Sequence, residues 1–298
     1  SLVSGTPFDE VEGSSIAFSD IDGDDDPDVL ITGRNSSGQD ISKLYINDGI
    51  GNYSLVSGTP FDGLHGGSIA FSDIDGDNDQ DILITGANSS NQIISKLYSN
   101  DGSGNYSLVS GTPFDGVMYS SIAFADIDGD NDQDVLITGY NSSDQKISKL
   151  YTNDGNGNYS LVSGTPFEGV NLGSIAFSDV DADNDQDVLI TGDNISSLYC
   201  NDGSGNYTRV SGSPFYGVHT SSISFSDIDG DNDQDVLITG QNSSSQKISV
   251  LYINDGSGNY TLVSGTPFDG VYASSIAFSD IDGDDDPDVL ITGSNNSP

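Results

Sequence analysis

Basic residues are scarce in this chain. Seven Lys and Arg stand against 47 Asp and Glu among 298 residues, a formal charge of −40. A surface of that sign repels phosphate backbones and anionic lipid, which excludes nucleic acid and acidic membrane as partners. There is one cysteine, Cys200, so no intrachain disulfide can form. An extracellular chain of this kind is expected to take its cross-links from metal instead. Cys200 stands where other copies of its segment carry Ile46, Ser99, Thr152 and Ile253, which marks it as a strand residue rather than a nucleophile. Histidine occurs only as His65 and His219, at matching positions of different copies. With no nucleophile motif and no phosphate loop, the chain reads as a non-enzyme. No apolar run approaches the length of a membrane span. There is no signal peptide and no initiator Met, so the chain is expected to be a mature protein or a segment of a longer one.

What the chain has in excess is aspartate, and its placement is regular. The stretch Asp20-Ile21-Asp22-Gly23-Asp24-Asp25-Asp26-Pro27-Asp28 returns five times, starting at Asp73, Asp126, Asp179, Asp227 and Asp280. Carboxylates about 4 Å apart repel by roughly 4 kcal/mol per pair at an effective dielectric near 20. A loop that crowds them needs a cation, and oxygen-only ligands select a hard one, Ca²⁺ in preference to Mg²⁺ at this spacing. Carboxylates at positions one, three, five and nine can converge if the chain curls, and position seven can add its backbone carbonyl. The candidate ligands are Asp20, Asp22, Asp24, Asp26 and Asp28 in the first loop and Asp73, Asp75, Asp77, Asp79 and Asp81 in the second. Asp126, Asp128, Asp130, Asp132 and Asp134 follow in the third, and Asp179, Asp181, Asp183, Asp185 and Asp187 in the fourth. Asp227, Asp229, Asp231, Asp233 and Asp235 form the fifth, and Asp280, Asp282, Asp284, Asp286 and Asp288 the sixth. About six Ca²⁺, one per loop, are expected. The curl needs permissive backbone: position four is Gly in five copies and Ala182 in the fourth, and position six is always Asn or Asp. No Glu stands at the twelfth position and the flanks read as strands, so this is not an EF-hand.

The loops belong to a repeat with boundaries 1–53, 54–106, 107–159, 160–207, 208–260 and 261–298. The second copy serves for all. Ser68 to Asp73 enters the acidic loop as strand A, and Asp81 to Gly86 leaves it as strand B, apolar on both faces. Ile94 to Tyr98 is strand C. Asn100 to Asn105 is a hairpin turn, and Tyr106 to Ser110 is strand D. Pro113 fits a connector to the next copy. Nothing has helical periodicity. Four antiparallel strands repeated six times predict an all-β fold, a β-propeller of six four-stranded blades forming a single domain, 1–298. The last blade is incomplete, and seven blades is the alternative. The crossing phenylalanines Phe8, Phe61, Phe114, Phe167, Phe215 and Phe268 are expected to fill space as core aromatics, between blades.

The unit Ser-Ile-Ala-Phe-Ser-Asp-Ile-Asp-Gly-Asp-Asn-Asp-Gln-Asp, the run Val-Leu-Ile-Thr-Gly and the segment Leu-Tyr-Ile-Asn-Asp-Gly-Ser-Gly-Asn-Tyr together resemble the FG-GAP and VCBS repeats over essentially the whole chain. The resemblance implies the integrin-alpha-like propeller, calcium in the acidic loops, and an extracellular or cell-surface setting. Three features depart from that pattern: Phe-Asp-Gly for Phe-Gly, Ile-Thr-Gly for Gly-Ala-Pro, and Asn or Asp at loop position six. All three leave the acidic ligands in place.

Differences between copies collect ahead of strand A, from Glu12-Gly13 through Met118-Tyr119 to Tyr272-Ala273, and after strand B, at Arg34, Ala87, Tyr140, Asp193, Gln241 and Ser294. In an up-and-down blade both places share the face opposite the acidic loops, which is expected to contact a protein or glycan partner. At the ends, Ser1 to Ser4 reads as a strand D, while the last copy runs to Pro298 with no strand C. An incomplete blade offers a site for self-assembly by strand addition. Asn-X-Ser/Thr sequons at Asn35, Asn52, Asn88, Asn105, Asn141, Asn158, Asn194, Asn206, Asn242, Asn259 and Asn295 are acceptors for glycans in a secretory host, or turn residues copied with the repeat. Two functional readings follow: an extracellular adhesion or structural-assembly module stabilised by calcium, and a glycan-binding lectin. A glycosidase pair among the carboxylates is the remote third.

Overall fold

The computed structural model describes residues 6–295, so the expected strand at Ser1 to Ser4 and the terminus at Pro298 lie outside it. Every regular element is a strand. Two compact bodies are formed. The first holds the described residues up to Phe124 with Asp132–Lys146 and Leu150–Val162. The second holds Ala125–Asn131, Ile147–Lys149 and the described residues from Ser163 onward.

The first repeat contributes β1 (Val11–Ser19), β2 (Asp28–Asn35), β3 (Asp40–Asn47) and β4 (Tyr53–Leu55). The second contributes β5 (Leu64–His65), β6 (Ile69–Ser72), β7 (Asp81–Asn88), β8 (Ile93–Asn100) and β9 (Tyr106–Leu108). The third has β10 (Val117–Ala125), β11 (Asp134–Asn141), β12 (Lys146–Asn153) and β13 (Tyr159–Leu161). In the fourth come β14 (Ile175–Ser178), β15 (Asp187–Gly192), β16 (Ile195–Cys200) and β17 (Thr208–Arg209). The fifth has β18 (Val218–Ser226), β19 (Asp235–Asn242), β20 (Lys247–Asn254) and β21 (Tyr260–Leu262), and the sixth β22 (Tyr272–Ser279) and β23 (Asp288–Ser294).

All pairing is antiparallel and follows chain order within a repeat, A to B to C to D. Strand B of the second repeat, Asp81–Asn88, is buried along nearly its whole length, because sheet neighbours flank it and other repeats cover its faces. In the second repeat Ser72 opposes Asp81, so the acidic loop is closed at its base by a ladder pair. A bridge joins strand C to the start of the next repeat at four junctions, as Ile41 to Leu64 in the first body and Ile195 to Val218 in the second. These crossings explain Phe-Asp-Gly. A Cβ on Gly63 would stand 2.0 Å from the Asp40 carbonyl oxygen, and one on Gly217 2.0 Å from that of Asn194, so no larger residue fits.

In the first, third, fifth and sixth repeats the residues that vary ahead of strand A lie inside the strand rather than in a separate connection, and β1, β18 and β22 each carry a bulge there; in the second and fourth repeats a bend precedes β6 and β14. At the bulge the backbone turns left-handed at Gly13, Gly66, Tyr119, Leu172, Thr220 and Ala273. The conformation serves a contact between repeats: Gly66 N–H donates to Gly13 O at 2.8 Å, and Thr220 N–H donates to Leu172 O at 2.5 Å. The crossing phenylalanines are core aromatics, as expected. Phe61 stacks edge-on against Tyr98 and tilted on Tyr106 of its own repeat, with centroids 5.1 and 5.2 Å away, and Phe215 repeats this with Tyr252 and Tyr260. They clasp the connector to strands C and D and join the core between repeats, Phe215 among Val180, Leu189 and Leu198 of the preceding repeat and Phe61 against the cluster of Ile21, Leu30 and Leu44.

The interior cores lie between repeats. In the first body Ile21, Leu30 and Leu44 of repeat one meet Leu64, Ile69, Ile82, Ile84, Tyr98 and Tyr106 of repeat two. In the second, Val180, Leu189 and Leu198 meet Val218, Ile223, Val236, Ile238 and Tyr252. Each repeat therefore offers one apolar face forward and receives one from behind, the stacking logic of repeat proteins.

Candidate metal centre

Each acidic loop is drawn by its own hydrogen bonds into the curl that its spacing predicts. In the second loop Asp73 at position one accepts the amides of Gly76 at 2.8 Å and Asn78 at 3.0 Å. Asp77 at position five accepts that of Asp79 at 2.9 Å. Gly76 and Asn78 sit at φ +77° and +68°, where Gly and Asn are the tolerated residues. The fourth loop makes the same turn with Ala182 at φ +64°, a local cost that Gly avoids elsewhere.

Position nine staples the loop shut. Asp81 is buried; one carboxylate oxygen accepts the Ile74 amide at 3.0 Å and the other the Asn100 amide at 2.7 Å. Asp187 does the same with Val180 at 3.0 Å and Asn201 at 2.8 Å, and Asp28 with Ile21 and Asn47. The carboxylate thus ties strand A, strand B and the end of strand C together. Burial pushes the carboxyls of Asp81 and Asp187 up to about 6, against the two amides that favour the charged form.

Position three is where the loop is chemically incomplete. One oxygen of Asp22, Asp75, Asp128 and Asp181 is buried with no hydrogen-bond partner, the same atom in four loops. Their carboxyls are raised first by burial and then by neighbouring carboxylates, Asp24 for Asp22 and Asp77 for Asp75. A buried acceptor without a donor costs about 1–3 kcal/mol, and more when charged. In the first four loops this position joins a group whose ligand oxygens all lie within 4.8 Å of one another: Asp20, Asp22 and Asp28; Asp73, Asp75 and Asp81; Asp126, Asp128 and Asp134; Asp179, Asp181 and Asp183. A hard divalent cation fits this donor set and would satisfy the orphaned oxygen.

Position seven is placed differently. The carboxylate of Asp79 lies over Gly102 of the C–D turn, so closely that a Cβ there would come within 2.6 Å of it, and Asp185 lies likewise over Gly203. Its side chain shapes the turn, while its main chain stays in the loop. The third loop makes the position-one turn through Asp126, and Asp134 accepts the Asn153 amide at 2.7 Å. The fifth loop repeats the turn and staple with Asp227 and Asp235, and the sixth with Asp280, whose Asp288 accepts the Ile281 amide.

One recurring residue of the site was read from sequence only as turn chemistry. The Asn that ends strand C reaches into the loop of the preceding repeat. Asn100 Nδ2 donates to Ile21 O at 2.8 Å, Asn153 to Ile74 O, Asn201 to Ile127 O and Asn254 to Val180 O at 2.7 Å. Its Oδ1 accepts the next amide of its own turn, as Asn100 does from Asp101 at 2.9 Å. The invariance of Asn ahead of Asp-Gly in five copies was the signal.

The sequon asparagines are engaged in turns as well. Asn88 Oδ1 accepts the amides of Ser90 and Gln92, and Asn105 Nδ2 donates to Asp101. Turn geometry accounts for their recurrence. Cys200 lies within reach of Asp181 and Asp187, and its thiol is pushed up to about 12 by burial and by the Asp187 charge. Native protein at pH 7.5 is therefore expected to resist iodoacetamide at Cys200 on a timescale where guanidinium-unfolded protein is fully alkylated. Mass spectrometry reads the difference, and equal rates would contradict the packing.

Tandem antiparallel sheets, each closed at one end by a stapled aspartate loop, define a β-repeat protein. The chain belongs to the FG-GAP-like repeat family, which it matches over residues 20–84, 73–137, 126–190, 179–238 and 227–291. None of the curated proteins compared with it matches. Among solved structures it is similar to an Agrocybe aegerita lectin that recognises non-reducing terminal N-acetylglucosamine, with TM-score 0.59 and 17% identity, over 83% of this chain and 64% of that one. It also matches a V. cholerae biofilm matrix protein (TM-score 0.45, 18% identity, 90% of this chain and 42% of that one). A third match is a Photorhabdus luminescens Tc holotoxin structure (TM-score 0.45, 18% identity, 93% and 13%). The chain thus spans less than two thirds of the length of each.

Proposed function

We propose that this chain is a non-enzymatic, calcium-stabilised module of the extracellular space or cell surface, whose repeats form a propeller and serve adhesion or structural assembly. The observation that carries this reading is the division of labour among near-identical repeats. Framework and acidic loops recur, whereas side chains of different chemistry are set at the bulged start of strand A and the B–C turn. The bulge presents an exposed Tyr119 and, in other repeats, Leu172, Thr220 and Ala273. His65 is held there by Asp40 at 3.1 Å, with Arg34 on the same carboxylate at 2.8 Å, a positioned polar cluster with no nucleophile in it. Self-association by strand addition beside β23 belongs to the same reading, since among the described residues β23 pairs with β22 alone.

Beads coated with the chain are expected to clump in calcium and to disperse in chelator. Joint alanine replacement of His65, Tyr119, Tyr140, His219 and Tyr272 should abolish clumping while circular dichroism stays unchanged. Clumping that survives those replacements would overturn the assignment to this face. The second reading, a lectin, is favoured by the fold similarity to the Agrocybe aegerita protein. A glycan array decides it: calcium-dependent, saturable binding to one glycan class, lost in the five-alanine variant, would replace adhesion with glycan recognition.

A further inference from the structure

The fourth repeat differs from the others at its acidic loop in a way that changes what the loop can hold. The residue ahead of the strand C asparagine is Ile46, Ser99, Thr152 or Ile253 in other repeats and Cys200 here. Its sulfur stands with a carboxylate oxygen of Asp181 and one of Asp187, the three ligand atoms all within 4.8 Å of one another. All three residues belong to the second body. Two of them are fixed by the fold. Asp187 is fully buried and held by the Val180 and Asn201 amides at 3.0 and 2.8 Å. Cys200 is half-buried at the end of β16, packed against the core cluster that contains Val180, Leu189 and Leu198.

A second observation is independent of the cysteine. One oxygen of Asp181 is buried and accepts no hydrogen bond. A buried carboxylate oxygen without a donor is costly unless a cation meets it. Asp181 also belongs to the all-oxygen group with Asp179 and Asp183, so it is shared between a hard donor set and one that contains sulfur. The corresponding groups of the first three loops, built on Asp22, Asp75 and Asp128, are carboxylate throughout.

The donor chemistry decides which ion suits the mixed set. Calcium takes oxygen ligands and gains nothing from a thiol. Sulfur beside carboxylate suits zinc and its borderline neighbours. Ligand atoms about 2.0–2.3 Å from a tetrahedral ion stand about 3.5 Å apart, so the trio closes by side-chain rotation and leaves one position for water. The amides on Asp187 do not block it, because each carboxylate oxygen has a further lone pair. We propose that Asp181, Asp187 and Cys200 form a thiolate–carboxylate site for one zinc-class divalent ion, which gives the fourth loop a metal preference unlike that of the other loops. As the metal binds, the Cys200 S–H proton leaves to solvent and Sγ becomes a ligand. The ion then ties the end of strand C to the loop. This site goes beyond the functional reading, and its test does not depend on calcium occupying the other loops.

The test is a titration of the purified chain with Co²⁺ and with Cd²⁺ in excess calcium, read by absorbance. A sulfur-to-metal charge-transfer band is expected to saturate at a single equivalent per chain, and Zn²⁺ should displace the cobalt and bleach its visible bands. Cys200→Ser should abolish the band yet stay folded by circular dichroism, since Ser99 fills that position in the second repeat. Asp181→Asn keeps the thiol and removes a ligand. Loss of an outer-shell partner already weakens metal sites about tenfold or more, so cadmium should bind this variant at least about tenfold more weakly. A wild-type chain that shows no such band would overturn the proposal. So would a band that titrates identically in Asp181→Asn, the mark of a thiol binding metal by itself, or zinc bound equally well by Cys200→Ser.

Discussion

Chelation should lower the midpoint of thermal unfolding by about 20–30 °C. Each site saturated about a hundredfold above its dissociation constant adds about 2.7 kcal/mol to the folded state, and a chain of this size shifts by about 2 °C per kcal/mol. Six loops acting together give a shift of that order. Calorimetry with and without EDTA measures it, and unchanged melting would remove the ion from the account. The chelated protein should also show a characteristic pH dependence. With Asp81 and Asp187 pushed up to about 6 by burial, the folded chain holds more protons than the unfolded one between about pH 4 and pH 6. Metal-free stability is then greatest at the acidic end of that window and falls as pH rises through about 6, by on the order of 1–3 kcal/mol per buried carboxylate. Calcium, which competes with those protons, should stabilise more strongly as pH rises through the same range.

The second large effect is expected at position nine. Asp187→Ala should destabilise the chain by about 3–5 kcal/mol even in chelator, because the buried amides of Val180 and Asn201 both lose their acceptor. A residue acting only as a metal ligand would lose its effect once the ion is gone. Urea unfolding of wild type and variant, each with and without EDTA, separates the two roles. Asp181→Ala is the contrast: it removes the oxygen with no partner, so its cost should be confined to the calcium-loaded state. If both variants behaved alike, the staple would not exist as a separate element.

The acidic loops and the order of strands were legible because the repeat supplies several readings of one structure. Asp at alternate positions, Gly at the tightest bend and Asn or Asp at the next left-handed residue agree in copy after copy. What escaped was whatever depends on two repeats at once. Tyr119, Leu172 and Thr220 take left-handed conformations that their side chains disfavour, and the reason is an amide-to-carbonyl bond to the neighbouring repeat, which no local propensity reveals. Compensating changes escaped for the same reason. Lys96 pairs with Asp62 in the second repeat. In the fourth, Ser197 replaces the lysine, the acid becomes Glu168, and Arg209 of strand D pairs with it at 3.2 Å. The fifth has Val250 and Tyr216 in these places, an apolar pair for an ionic one. Such substitutions look like drift along the chain and become a matched set only when strand C and the connector are seen side by side.

The asparagine that braces the first four loops from the following repeat would bear on how the proposed ions are taken up. A loop that closed on a cation would fix the carbonyl on which the next hairpin hangs, so occupancy at one station would ready its downstream neighbour. Loading should proceed like a zipper instead of as independent events.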